Sequence, residues 1–343
     1  MRIRNPLYPE RVQPSMSAQT RRAFLSSAIA TAAAIALKPT LNASPQRDEF
    51  HGPPWRQPVA SSKTITVANA TIHIDLAPGT FNLPEDAIIR WITRAAQAVT
   101  TYYGRFPVPS ARIYVQSTPG SGVFGGTTWG NVGGSPAFTR IHVGQNTTQA
   151  DLDTDWMMTH EIVHYALPSL PDENHWLEEG IAVYVEPIAR VQSGQLAEAG
   201  VWHDMIENMP KGQPRDGDLG LDNTHTWGRT YWGGAGFCLL ADVTLRKQTQ
   251  NRTGLQQALR AILTAGGNIS QNWDILPTLQ AADKATGTQV LTTLYQSMST
   301  KPVPIDFTTL WQQLGVTPTS NTVTYNPKAP LAKVRQSIFA TAS

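Results

Sequence analysis

Between residues 63 and 76 the apolar positions alternate, with Ile65 and Val67 followed by Ile72, Ile74 and Leu76. A period of two predicts two half-buried strands, or one long strand broken near Asn69. Over residues 84–103 the spacing becomes that of a helix, with Ile88, Trp91, Ile92, Ala95 and Val99 on one face. Residues 111–115 and 138–143 read as strands again. A second helical stripe then runs through Leu152, Trp156, Val163 and Leu167. It opens on a capping box, Thr148 with Asp151, and Pro168 stops it. Met157, His160, Glu161 and His164 form a second face beside the stripe. The next helix starts near Trp176, with Asn174 or Asp172 as its cap and Pro187 as its end. Beyond it the chain reads as mostly helical, over 194–209, 229–246, 253–263, 272–284, 288–298 and 306–314. Residues 210–226 form a polar loop able to overhang a cleft, residues 321–325 a late strand, and the tail after Lys328 a loosely held end. No internal repeat is evident. Strands early and helices late predict an α+β fold.

Composition narrows the function. The 343 residues suffice for one large domain or two to three small ones. Only 15% are charged and the net charge is +2, which argues against nucleic acid as a partner. The single cysteine, Cys238, excludes an internal disulfide framework, and its apolar neighbours Phe237 and Leu239 mark it as a buried small residue. Residues 1–43 have the pattern of a twin-arginine signal peptide. Arg21 and Arg22 precede an alanine-rich stretch over 23–37 that is too short and too weakly apolar to span a bilayer, and Leu41-Asn42-Ala43 offers a cleavage site. Met16 is an alternative start, and no cysteine follows the apolar stretch to take a lipid. The expectation is a bacterial protein exported already folded, periplasmic or secreted, and not membrane-spanning once the signal is removed. Residues 44–62 read as a linker or extended arm.

The chemistry gathers in Thr159-His160-Glu161-Ile162-Val163-His164, an H-E-x-x-H pattern. On a helix, His160 and His164 lie one turn apart, so both imidazoles leave one face and can share a zinc ion. Glu161 lies near that face and is placed to act as general base toward a water. The bare pattern also fits a helix with two surface histidines and a glutamate. Two contexts favour the metal: the helix carries a buried stripe, and Trp176-Leu177-Glu178-Glu179-Gly180-Ile181-Ala182 follows it. Two histidines leave a zinc site one protein ligand short, and a carboxylate on a neighbouring helix can supply it. Adjacent helical residues point about 100° apart, so only one of Glu178 and Glu179 can face the ion. Spacing leans to Glu178, which falls between Leu177, Ile181 and Val185 on the apolar arc.

H-E-x-x-H followed by W-L-x-E-G-x-A resembles the gluzincin metallopeptidases, the peptidase MA-like superfamily. The resemblance selects Glu179, the glutamate before the glycine, as third ligand of one Zn2+ per chain beside His160 and His164. Fourteen residues separate His164 from Glu179, fewer than in thermolysin-like or large aminopeptidase relatives, so the connecting loop is short, as in compact members of the superfamily. The glycine-rich segment Gly120 to Asn131 lacks the G-K-[ST] context of a phosphate loop. By resemblance it supplies a sheet edge that pairs with an extended peptide; the alternative is a plain flexible hairpin. Large aminopeptidases carry an acidic residue there for the substrate's free amine. None occurs between Arg112 and Ala150, which counts against aminopeptidase specificity without deciding it. Tyr231-Trp232-Gly233-Gly234-Ala235 resembles a Y-x-x-G-A segment of the glycyl-aminopeptidase-like family, whose tyrosine donates to the oxyanion. That implies the role for Tyr231, with His225 as the rival donor. The fold implied is a thermolysin-like zincin lobe over 63–190, a helical lobe over 191–330 and a tail over 331–343. The activity implied is zinc-dependent hydrolysis of a peptide or protein, with Glu161 and Tyr231 as catalytic residues. Endopeptidase and aminopeptidase action remain alternatives, and oligomeric state is open. A second class of function is an exported zinc- or peptide-binding module of the same fold that no longer cleaves. A third, a structural envelope protein, is separated from both by zinc content.

Overall fold

The computed structural model describes residues 53–341. The signal-peptide reading of residues 1–43 lies outside them. The alternating stretch is a hairpin: strand β1 (Ser61–Val67) pairs antiparallel with β2 (Ala70–Leu76). Ala68 and Asn69 form its two-residue turn, both with positive φ, the twist that suits the strands they join. Helix α1 (Glu85–Tyr103) follows, then β3 (Ser110–Thr118), β4 (Val123–Val132) and β5 (Ser135–Gly144). These strands form one mixed sheet in the order β1-β2-β3-β5-β4. The β2–β3 and β3–β5 pairs are parallel, and the β4–β5 pair is antiparallel. The glycine-rich segment is therefore the edge strand β4. Helix α1 buries Ile88, Trp91, Ile92, Ala95 and Val99, the face its spacing predicts. On the other face of the sheet, Tyr114 and Phe138 form a smaller cluster with Trp55 and Trp129. The described part of the expected linker is tied down there: Arg112 Nη1 donates to the Trp55 carbonyl (3.0 Å) and Tyr114 OH to the Pro58 carbonyl (2.9 Å).

The helix expected from Thr148 to Leu167 is two helices. The Thr148–Asp151 capping box opens α2 (Gln149–Thr154), and α3 (Met157–Val163) begins three residues after it. Asp155 makes the break. Its carboxylate accepts the backbone N–H of Met157 (3.1 Å) and Met158 (3.0 Å) and the indole N–H of Trp91 (3.0 Å). A side chain that satisfies the first N–H groups of a new helix offers the backbone an alternative to continuing the old one. Helix α3 passes into a single 3-10 turn at His164–Ala166 before Pro168.

Helix α4 (His175–Gln192) corrects two further expectations. Pro187 does not end it but lies inside it. An interior proline costs about 3 kcal/mol. Ile188, Ala189 and the buried Glu186–Arg190 ion pair (2.8 Å) hold the next turn in place. Asn174 stands at the N-cap position, but its amide donates to Asp222 (3.0 Å) and neither it nor Asp172 caps the helix with a side chain. Asp172 instead opens a 3-10 turn ahead of the helix.

The later helices are α5 (Glu198–Asn208), α6 (Gly234–Gln248), α7 (Leu255–Thr264), α8 (Ile275–Thr286), α9 (Val290–Met298) and α10 (Phe307–Leu314). A turn of π-helix, Gly228–Gly233, leads into α6. The two-stranded ribbon β6 (Val316–Pro318) and β7 (Val323–Tyr325) follows α10. The tail is not loose: residues Ala332–Phe339 form α11, which buries Val334, Ile338 and Phe339. Phe339 stands edge-on to Trp202 (5.4 Å), and Arg335 Nη1 caps the Leu314 and Gly315 carbonyls (2.8 and 3.0 Å). One apolar core runs from Val67 on β1 to Phe339 on α11. Among the described residues no helix is long and apolar enough to cross a membrane. The α+β class read from the sequence is the class observed.

Candidate active site

Three elements meet where the chemistry was expected. Helix α3 lies beneath the edge strand β4, and α4 packs against both α3 and the π turn. Helix α3 buries Met158 and Ile162 into the core and carries His160 and Glu161. His164 opens the 3-10 turn that continues it.

Glu179 of α4 points at both histidines. Its Oε2 lies 3.1 Å from His160 Nε2 and 3.8 Å from His164 Nε2, and the two imidazole rings are 5.0 Å apart. One ligand atom from each of the three residues falls within 4.8 Å of the other two. Glu178 faces away from the histidines. Its Oε1 accepts the Leu170 N–H (3.0 Å) and its Oε2 lies 2.9 Å from His175 Nδ1. The apolar arc that pointed to Glu178 does not decide the matter, because the face of α4 carrying Glu179 is also buried, beneath α3 and α6.

Burial and mutual charge set the protonation of the cluster. Burial pushes His164 down to about 4, against the pull of Glu179. For His160 burial acts downward too, but the Glu179 hydrogen bond and the surrounding carboxylates outweigh it and raise the ring. Burial alone would raise Glu179. The His164 charge, the His160 hydrogen bond and the His175 charge outweigh it and hold the carboxylate well below its usual range. Two neutral-capable imidazoles and an ionised carboxylate converging on one point are the donor set of a His2Glu zinc site. The residues present fit that ion.

Glu161 lies beside this cluster under β4. Thr128 Oγ1 donates to its Oε2 (2.6 Å), Thr128 in turn meets Thr139 Oγ1 (2.8 Å), and Thr139 meets Tyr165 OH (2.7 Å). The Glu161 carboxylate is thus anchored to a row of hydroxyls reaching into the core. Burial pushes its carboxyl up to about 7, against the pull of His160 and Thr128. Gly126 makes the close packing possible, since a Cβ there would fall inside the Glu161 side chain.

Tyr231 sits in the π turn, its ring stacked at 6.4 Å on His160 and at 5.8 Å on Trp227. Burial first, then the charges of Glu179 and Glu161 and a hydrogen bond to Glu179, raise its hydroxyl well above the usual value. The phenol therefore stays a proton donor beside the cluster. π turns recur at functional sites because they aim a side chain that a regular helix would turn aside. His225 is exposed in the loop before that turn. Nothing in the sequence marks Thr128, Thr139 and Tyr165, since threonines in strands are ordinary β-formers. Nor does it mark the links from His175 and Glu178 to Glu179 and Leu170.

The chain has the fold of the gluzincin metallopeptidases. Among solved structures it is similar to the aminopeptidase N family protein from Idiomarina loihiensis, at 13% identity and a TM-score of 0.57, covering 79% of this chain and 53% of that one. An M1 zinc metallopeptidase from Deinococcus radiodurans aligns at 14% identity and a TM-score of 0.46, over 72% of this chain and 53% of that one. The chain thus spans about half the length of these structures. No protein-family model and no curated protein sequence matches it.

Proposed function

We propose that the chain is an exported zinc metallopeptidase of the gluzincin type. The observation that carries the reading is the convergence of His160, His164 and Glu179 on one point with Glu161 alongside. His160, His164 and Glu179 would hold one zinc. Bound there, zinc supplies the Lewis acidity that activates a water and polarises a scissile carbonyl. Glu161 takes the proton of the attacking water and passes it to the leaving amine. Thr128, holding one oxygen of Glu161, keeps the carboxylate aimed. Tyr231 donates a hydrogen bond to the oxyanion as charge develops on it. The open edge of β4 lies beside Glu161 and offers its backbone to an extended peptide.

The test is elemental analysis of the mature chain together with a peptide-library cleavage screen. Wild type is expected to hold about one zinc, and His160→Ala/His164→Ala none. Glu161→Gln is expected to keep zinc and to lower kcat by about 10²–10⁴-fold. A Glu161→Gln chain as active as wild type sinks the catalytic role. A wild type that binds zinc and peptides but cleaves nothing supports the binding-module alternative.

A further inference from the structure

Glu179 uses its two oxygens differently. Oε2 faces His160 and His164, while Oε1 lies 3.2 Å from His175 Nε2. His175 is one helical turn earlier on α4, and its other ring nitrogen, Nδ1, lies 2.9 Å from Glu178 Oε2. The remaining oxygen of Glu178 accepts the backbone N–H of Leu170 (3.0 Å). A continuous path therefore runs from the short loop after α3, through Glu178 and His175, to the carboxylate that meets the two histidines.

A histidine at i and glutamates at i+3 and i+4 would on most helices be a solvated surface pair. Two features set this one apart. The imidazole spans both carboxylates with both its nitrogens, and one of those carboxylates is buried against His160 and His164. Moreover, Glu178 is itself fixed by a backbone N–H of the loop joining the two helices. An unrestrained carboxylate rotates about its last bond and can present either oxygen or both to a cation. Partners outside the immediate ligands remove that freedom, and their loss typically weakens metal binding by about 10–100-fold.

We propose that His175, oriented by Glu178, is a positioning residue for the third zinc ligand: it holds Glu179 Oε1 so that Oε2 alone is offered to the ion. This rests on the zinc reading above. It also gives Glu178, the glutamate excluded from the histidine cluster, a part in the same site.

A pair of amide substitutions separates the two ring nitrogens. In His175→Gln the side-chain amide takes the place of Nε2 and still reaches Glu179. In His175→Asn it takes the place of Nδ1 and reaches only Glu178. Zinc affinity of the full mature chain is measured by competition with a chromophoric chelator, and the visible spectrum is recorded with Co2+ in place of zinc. His175→Gln is expected to remain within about threefold of wild type with an unchanged spectrum. His175→Asn is expected to lose about 10–100-fold in affinity, with shifted bands. His175 is one-third exposed, so both polar replacements are compatible with folding, which far-UV circular dichroism of the metal-free chains checks. Glu178→Gln, which keeps an acceptor for the Leu170 N–H, supplies an independent arm with an expected loss between those two. Equal affinities in all four chains, or a loss in His175→Gln as large as in His175→Asn, overturn the positioning role while leaving the zinc site standing. A wild type that takes up no zinc overturns both.

Discussion

At the scale of single residues, the site turns on which atom faces which. Glu178 and Glu179 are chemically identical, and only the rotation of α4 against α3 separates them. Glu179 Oε2 lies within 3.8 Å of both histidine Nε2 atoms, whereas Glu178 is committed to Leu170 and His175. Thr128 is an equally local case, since its hydroxyl donates to the buried Glu161 Oε2 at 2.6 Å. Thr128→Val keeps the shape and removes the donor, leaving a buried carboxylate oxygen short of a partner, which costs about 1–3 kcal/mol. The expected outcome is a fall in kcat of about tenfold or more with the zinc content of wild type, read by steady-state kinetics beside elemental analysis. Unchanged kcat would show that the hydroxyl row is scaffolding alone.

At the scale of elements, backbone proximity brings α4, which carries Glu179, to the turn that carries Tyr231. Gly180 on α4 approaches Gly234 at the start of α6 so closely that a Cβ on either would overlap the other's backbone. Gly180→Ala cannot be absorbed by a side-chain movement, because what it meets is main chain. The expected cost is about 1–3 kcal/mol, measured as a lower urea midpoint in the metal-free chain, and α4 should move away from the π turn. Tyr231 should then lose its stacking on His160, so kcat should fall further than KM rises. A variant with the wild-type midpoint would contradict the packing argument. The sequence was readable for α1, β1, β2 and most later helices because their apolar periodicity extends over many residues. It misled at α2–α3, at Pro187 and at the tail. In each case a tertiary partner outweighed a local signal: Trp91 joins the Met157 and Met158 N–H groups on Asp155, the core takes the turn after Pro187, and Trp202 receives Phe339.

At the scale of the whole molecule, the proposed zinc ties α3 and the 3-10 turn that continues it to α4 across the short loop, and α4 in turn packs on α6. A ligand that binds only the folded chain stabilises it by mass action, by about 4 kcal/mol at a free concentration a thousand times Kd. Zinc titration is therefore expected to raise the melting temperature of wild type steadily, and to leave that of His160→Ala/His164→Ala unmoved. Equal shifts in both chains would place the stabilising zinc elsewhere. Cys238 has no part in this site; it is buried in α6, and burial pushes its thiol far up.

Local sequence is enough for the α+β class, for the order of most elements and for the pair of histidines with a glutamate between them. These are properties of residues close along the chain, where periodicity and one-turn spacing fix the geometry. Helical spacing leaned to Glu178 and the motif resemblance to Glu179; it took the packed core to put Glu179 beside the histidines, to place Tyr231 and to hold Glu161 and Glu179. Each of those depends on the rotation and distance between helices and strands far apart in the chain, set by the packing of the whole core rather than by any segment of it.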